Sequence, residues 1–315
     1  MRPSESRSDI TAVLCLVGAI VCWGVPPIML RYLTAHIPDG FTTNLVRYPS
    51  STIVYIPLLI AAHRRGVRLG PFWKWALLPA FVNIVGQTLF AIAPYYMEAG
   101  LMSFLLRLST IWSIVLALLL FRDERVLARN PRFWLSAGLA MLGFVLMALI
   151  GRPVVLGLAG VVIVLLCSVF WGLYDVTVRL TMGRLHPLIV FGVIGNYTSL
   201  GLILLGPLGE PRSVLSLSPG VFVLLILSAY IGIAAAHGMY YVALQRLGVA
   251  VSSITMLLAP FVTILGSALT LGERLSALQW AGGLVLTGGA MSALWTRYRL
   301  RRIPPGQEAA ASAVD

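Results

Sequence analysis

Few side chains in this sequence can do chemistry, and most of those lie inside long apolar runs. Asn83 and Gln87 are four residues apart, so a helix puts them on one face. Their amides can bind a zwitterionic ligand or a neighbouring helix. Cys167, Trp171, Tyr174 and Asp175 share roughly one face of another run. Trp171 and Tyr174 suit an aromatic ligand through offset stacking, or else pack between helices. Asp175 can carry a proton, although Arg179, four residues on, offers it a plain ion pair. His237 shares a face with Tyr230 and Tyr241, with Tyr240 adjoining, and can titrate near neutral pH or simply pack. Arg47 and Arg107 also fall inside apolar runs. Each can hold a carboxylate, and each can instead be neutralised by Glu98 or Asp39.

Other chemistries lack their residues. There is no His-Glu-x-x-His zinc motif, no Gly-x-Ser-x-Gly elbow and no phosphate-binding loop. Asp175 has no second intramembrane aspartate to make a carboxylate dyad, so an enzyme is not expected. The three cysteines, Cys15, Cys22 and Cys167, form neither a metal pattern nor a disulfide framework. No metal and no cofactor is expected.

The elements that must position these groups follow from composition. Hydrophobic residues make up 59% of the 315 residues and charged residues 11%, against about 25% charged in soluble domains. Such a chain belongs in lipid. Crossing about 30 Å of hydrocarbon takes roughly 20 residues of helix. Ten runs satisfy this, approximately 10–33, 42–62, 73–97, 101–121, 132–151, 156–180, 188–207, 219–244, 249–271 and 277–297. The first run is kept as a helix rather than a cleaved signal peptide. The formal charge of +12 is explained by basic loops on one side of a membrane, so no nucleic-acid partner is expected. Of the 23 Lys and Arg, 17 fall on the side of both termini. Arg31, Arg152, Arg212 and Arg274 fall on the other, which makes both termini cytoplasmic.

The chain also repeats itself. Trp23-Gly24 and Arg31 recur as Trp171-Gly172 and Arg179, a shift of 148 residues. Glu124-Arg125-Val126 recurs as Glu273-Arg274-Leu275, and Gly100 as Gly248. Gly138 and Gly143 pair with Gly283 and Gly288. Five helices per copy is an odd number, so the second copy enters the membrane inverted. The expected fold is an all-α polytopic membrane protein, with ten transmembrane helices in two inverted five-helix repeats around a central cavity. The expected boundaries are 1–151, 152–302 and a disordered cytoplasmic tail at 303–315. Pro26 and Pro27 break the first helix just after Trp23, which makes these three residues candidate hinge or gate elements.

Two five-helix repeats, Trp-Gly in the first helix of each, and Leu271-Gly272-Glu273-Arg274-Leu275 before Gln279-Trp280-Ala281-Gly282-Gly283 resemble the drug/metabolite transporter superfamily, EamA type. Pro260 matches a proline frequent in the ninth helix of that family, whereas Ile111 stands at the equivalent place in the first repeat. Within the family the chain is most similar to bacterial exporters of aromatic amino acids of the YddG type. The resemblance implies an inner-membrane secondary transporter that exports amino acids or similar metabolites by alternating access. Its partners are then a small amino-acid-like substrate and membrane lipid, and nothing demands a second subunit. On this expectation Trp171 and Tyr174, with Tyr95, His237 and Tyr240 nearby, receive the apolar part of the substrate. Asn83 and Gln87 bind its polar end, while Arg47, Arg107 and Asp175 serve coupling or charge pairing. A phosphate-ester or nucleotide-sugar exchanger is the alternative. The basic residues of the second repeat, all at helix ends or in loops, argue against it.

Overall fold

Hydrocarbon offers no partner to open N–H and C=O groups, so runs this apolar close their hydrogen bonds internally as helices. A computed structural model of the chain describes residues 3–97, 99–148, 158–182, 185–263, 265 and 277–302, and helices dominate it. In chain order they are α1 (Pro3–Gly24), α2 (Pro26–Leu33), α3 (Gly40–Thr52), α4 (Ile56–Arg64), α5 (Phe72–Trp75), α6 (Leu77–Ile92), α7 (Ala99–Leu106) and α8 (Ser109–Leu120). They continue as α9 (Arg122–Ala128), α10 (Pro131–Ala148), α11 (Leu158–Met182), α12 (Pro187–Leu205), α13 (Pro219–Ala229), α14 (Ala236–Leu247), α15 (Val249–Thr255) and α16 (Ala277–Arg302).

Six helical stretches among the described residues are long and apolar enough to cross a membrane. They are Ile10–Leu33, Gly40–Arg64, Phe72–Tyr95, Leu158–Met182, Pro187–Leu208 and Pro219–Leu247. Ser109–Leu120, Pro131–Leu146 and Val249–Thr263 are apolar but shorter. The Leu271–Leu275 element, Glu98, Arg152, Arg184, the expected boundary at 151–152 and the tail from 303 onward lie outside the described residues.

Several expected spans are not single helices. The first breaks at Val25, where Pro26 and Pro27 begin α2. The fourth was expected unbroken over 101–121, but it turns at Arg107 and Leu108 between α7 and α8. The eighth widens into a π-helical turn at Tyr230–Ala235. The ninth tightens into a 3-10 turn at Met256–Leu258. Proline accounts for the first break and for the last, since Pro260 lacks the N–H that would bond the Met256 carbonyl four residues back; the other two have no proline to mark them.

The radial order is that of a lipid-embedded bundle. Leu14, Val21, Leu200, Leu204 and Leu284 are exposed, whereas Asn44, Arg47, Thr52, Asn83, Gln87 and Ser168 are buried. Apolar side chains face the acyl chains and polar ones find partners inside. The helices pack in a pattern that follows the sequence repeat. α1 packs on α14 and α6 on α11, which exchanges the first and third segments of the two halves. α3 packs on α12, α8 on α15 and α10 on α16, each joining equivalent segments. The last pair approaches closely: a Cβ on Gly143 would stand 2.3 Å from Leu286 N, and one on Gly289 would stand 2.4 Å from Ala140 N. The Ser136 and Ser292 hydroxyls hydrogen-bond across it at 2.7 Å.

Candidate functional site

The repeated Trp-Gly meets a glycine of the other half in each copy, by a hydrogen bond in one and by packing in the other. The Trp23 indole N–H donates to the Gly232 carbonyl at 2.8 Å. Trp171 lies against Gly86, where a Cβ would stand 3.0 Å from its Cδ1. Each tryptophan thus rests on a glycine in the third segment of the other half. The glycines that follow touch the fourth segments: a Cβ on Gly24 would meet Val262, and one on Gly172 would meet Trp112. Only a residue without a side chain admits these approaches.

Between these contacts lies a cavity that spans the two halves. It holds about 770 Å³ of space free of protein atoms, part of it open to solvent. Trp23, Phe90, Trp171, Tyr174, His237 and Tyr240 supply its aromatic wall. Gln87, Arg47, Arg107, Asp175, Ser109, Thr110 and Ser253 supply its polar groups. Pro26 and Pro27 line it opposite Gly232 and Ile233, so the proline break of the first segment faces the π turn of the eighth. Arg107 and Met256, which also line it, stand at the irregular points of the fourth and ninth segments. Four interrupted helices therefore meet at one place, as happens where carriers bind their substrates.

Irregular backbone leaves carbonyls open, and side chains close several of them. Thr263 Oγ1 donates to Gly24 O at 2.5 Å. The Tyr55 hydroxyl donates to Ala234 O at 2.7 Å. His237 Nδ1 lies 3.1 Å from Ile233 O, with its ring stacked on Phe191 and edge-on to Trp23. Arg107 Nη1 donates to Met256 O at 3.2 Å, and Thr110 Oγ1 to Ser253 O.

Not every predicted residue reaches this cavity. Asn83 does not line it: its Nδ2 donates to the Tyr48 hydroxyl at 2.8 Å and to Thr198 Oγ1 at 3.2 Å, joining three helices. Tyr95 does not line it either, and its hydroxyl donates to Ile37 O. The Asn83–Gln87 pairing expected from spacing is thereby split. The amide at Gln87 lines the cavity, while its main-chain carbonyl accepts from Asn44 Nδ2 at 2.8 Å.

The charges also pair otherwise than spacing suggests. Arg179 does not serve Asp175. It reaches Glu124 at 2.9 Å and Asp123 at 2.5 Å, both beyond the fourth segment. Glu124 Oε1 also accepts the Val249 N–H at 2.8 Å, so this carboxylate ties the two halves together at one end. Asp175 Oδ2 instead accepts from Ser113 Oγ at 2.7 Å and Ser253 Oγ at 3.4 Å. Asp39 does not neutralise Arg47, because it caps α3 through Thr42 N and also accepts the Glu210 N–H. Arg47, 1% exposed, donates from Nε to Ser228 Oγ at 2.9 Å and from Nη2 to Ser228 O at 3.3 Å.

Phe90, Ser109, Thr110, Gly232, Ser253 and Met256 were not anticipated. Ser, Thr and Met in an apolar run are ordinary packing residues, and only the helix interruptions make these ones line a cavity.

The membrane-embedded bundle thus holds a partly open cavity of mixed aromatic and polar lining, large enough for a small molecule. The EamA-like transporter family matches the chain twice, over residues 10–149 and 158–295, and the chain belongs to that family. It is thus a multi-pass membrane protein of a small-molecule transporter family. A solved structure titled "Crystal structure of protein" shares the fold with a TM-score of 0.72 at 18% identity, covering 92% of this chain and 97% of its own. No curated protein matches.

Proposed function

We propose that the chain is a secondary carrier that exports amino acids or similar small metabolites across a bacterial inner membrane by alternating access. In this reading ten helices cross the bilayer as two inverted five-helix repeats, with both termini in the cytoplasm, and one chain suffices. The observation that carries the proposal is the placement of the cavity where four interrupted helices from both halves converge. The exchanged packing of the first and third segments supports the inverted relation of the halves.

The substrate's apolar part lies against Trp171, Tyr174 and Tyr240, with Phe90 beside Trp171 at 4.9 Å between ring centroids. Gln87 contributes an amide to its polar end, and His237 completes the wall beside Trp23. Asn83 and Tyr95 are omitted from this site, because their polar groups are engaged between helices. Rocking of the halves bends the chain at Trp23, Pro26 and Pro27 and at the π turn. The Glu124–Arg179–Val249 tie lies at the cytoplasmic end in this orientation and closes that end. An aromatic amino acid, as handled by exporters of the YddG type, fits the aromatic lining.

The test is efflux from loaded proteoliposomes with a panel of labelled amino acids, comparing the parent with Trp171→Ala and Gln87→Ala. The expected result is saturable flux with counterflow, and a KM raised about tenfold or more in Trp171→Ala. Unchanged KM and rate in both variants at normal expression would remove this site. Flux that neither saturates nor shows counterflow would mark a channel.

A further inference from the structure

Resting on the carrier reading above but narrowing its substrates away from the amino acids to the similar metabolites, we infer that the cavity prefers substrates of net negative charge, a carboxylate on an aromatic or apolar body, over zwitterions and cations. The inference starts from charges and donors. Among the described lining residues the charged groups are Arg47, Arg107 and Asp175, two cations against one anion, with His237, Tyr174 and Tyr240 as further acid-base groups. Asp175 already accepts from two hydroxyls and stands in the field of Arg107. The guanidiniums are less well served. Arg47 Nη1 and Arg107 Nε are buried and have no hydrogen-bond partner among the described residues. Both side chains are more than nine-tenths buried, Arg47 at 1% and Arg107 at 7% exposure.

A buried, open N–H on a permanent cation is costly unless something fills it. An anionic oxygen fills it best, because a charge-assisted hydrogen bond is roughly twice as strong as a neutral one. The two open donors sit on different segments of the first half, and each is held from the second. Arg47 is fixed by Ser228 beside the π turn, and Arg107 by Met256 O at the ninth-segment turn. Each guanidinium is therefore held in place by neutral partners and keeps one nitrogen without a hydrogen-bond partner among the described residues. A cavity with a surplus of one positive charge suits a singly charged carboxylate, whereas a phosphate dianion brings more charge than the surplus. A zwitterion brings an ammonium that adds to a positive surplus and meets only the one shared carboxylate. An anion leaves the surplus neutralised. Its exit also moves negative charge outward, which an inside-negative membrane potential favours.

Three probes with one ring and different charges decide this: phenylacetate, phenylalanine and phenethylamine, with phenyl phosphate as a fourth. Counterflow and binding are measured on purified protein in liposomes, with and without a potassium-clamped, inside-negative potential. Phenylacetate is expected to be preferred over phenethylamine by about tenfold or more, with phenylalanine between and phenyl phosphate weaker than phenylacetate. Phenylacetate efflux should accelerate when the interior is made negative, and phenylalanine efflux should not. Arg47→Gln and Arg107→Gln should each weaken phenylacetate about tenfold and leave phenethylamine unchanged. The potential dependence requires no variant, so poor folding of either substitution leaves the test intact. Transport of phenylalanine with phenylacetate excluded overturns the charge rule and leaves the carrier reading standing. A preference for phenyl phosphate assigns the two arginines to a phosphate ester and overturns the carboxylate choice. Failure of all four to bind or move overturns the aromatic-lined carrier site itself.

Discussion

At the scale of single residues, hydrogen-bond accounting separates Asn83 from Gln87. Spacing puts both on one face, yet only Gln87 lines the cavity, because Asn83 is tied to Tyr48 and Thr198. Asn83→Ala should therefore lower thermal stability in detergent by about 1 kcal/mol and leave KM within about twofold, since ~0.4 kcal/mol is all that such a change represents. A large rise in KM at unchanged melting temperature would place Asn83 in the binding site after all. Trp171, Tyr174, His237 and Tyr240 were legible as candidates because polar and aromatic groups inside apolar runs are few. Their partners were not. Ser113 and Ser253 serve Asp175 from the fourth and ninth segments, and no spacing rule within the sixth segment reaches them. Arg179 was misread for the same reason: a local partner at four residues' distance lost to two acids on another segment.

At the scale of elements, the junction from α14 to α15 carries the tie between halves. Gly248 there has φ of 90°, and a Cβ on it would stand 2.2 Å from Glu124 Oε1. Both the left-handed backbone and the carboxylate demand glycine. Gly248→Ala should displace Glu124 and open the tied end, raising reaction of a cysteine introduced at the cavity-lining position Ile233 from the cytoplasmic face several-fold. Unchanged labelling at unchanged stability would show that this tie does not close the path. The α10–α16 contact makes a different prediction. A side chain on Gly289 must enter the backbone of Ala140, so Gly289→Leu should cost about 2 kcal/mol or more of stability. A thermal melt in detergent reads this directly, and an unchanged midpoint would mean that the two helices separate freely. For the six stretches long enough to span, the sequence placed the described ends to within a few residues, and the proline break in the first was plain. The turn at Arg107 and the π turn were hidden, because no proline marks them; the 3-10 turn at Met256 carried a signal in Pro260, which has no N–H for that carbonyl.

At the scale of the whole molecule, the repeat in the sequence reappears as a repeat in contacts. Trp23 and Trp171 each meet a glycine across the middle of the bundle, and the first and third segments trade partners. This arrangement places a mixed aromatic and cationic cavity between the halves, and the proposed cycle has each half close it in turn. The orientation argument, 17 basic residues against 4, predicts that reporters fused to the two termini read out on the same, cytoplasmic side. Reporters on opposite sides would require an odd number of crossings and end the inverted-repeat account. The central claim is that one cavity is reached from each face in turn. It is tested most directly by placing a single cysteine at Ile233, in a background where Cys15, Cys22 and Cys167 are replaced, and adding a membrane-impermeant thiol reagent to either face. The account predicts labelling from both faces, slowed on both by saturating substrate. Labelling confined to one face under every condition would contradict it.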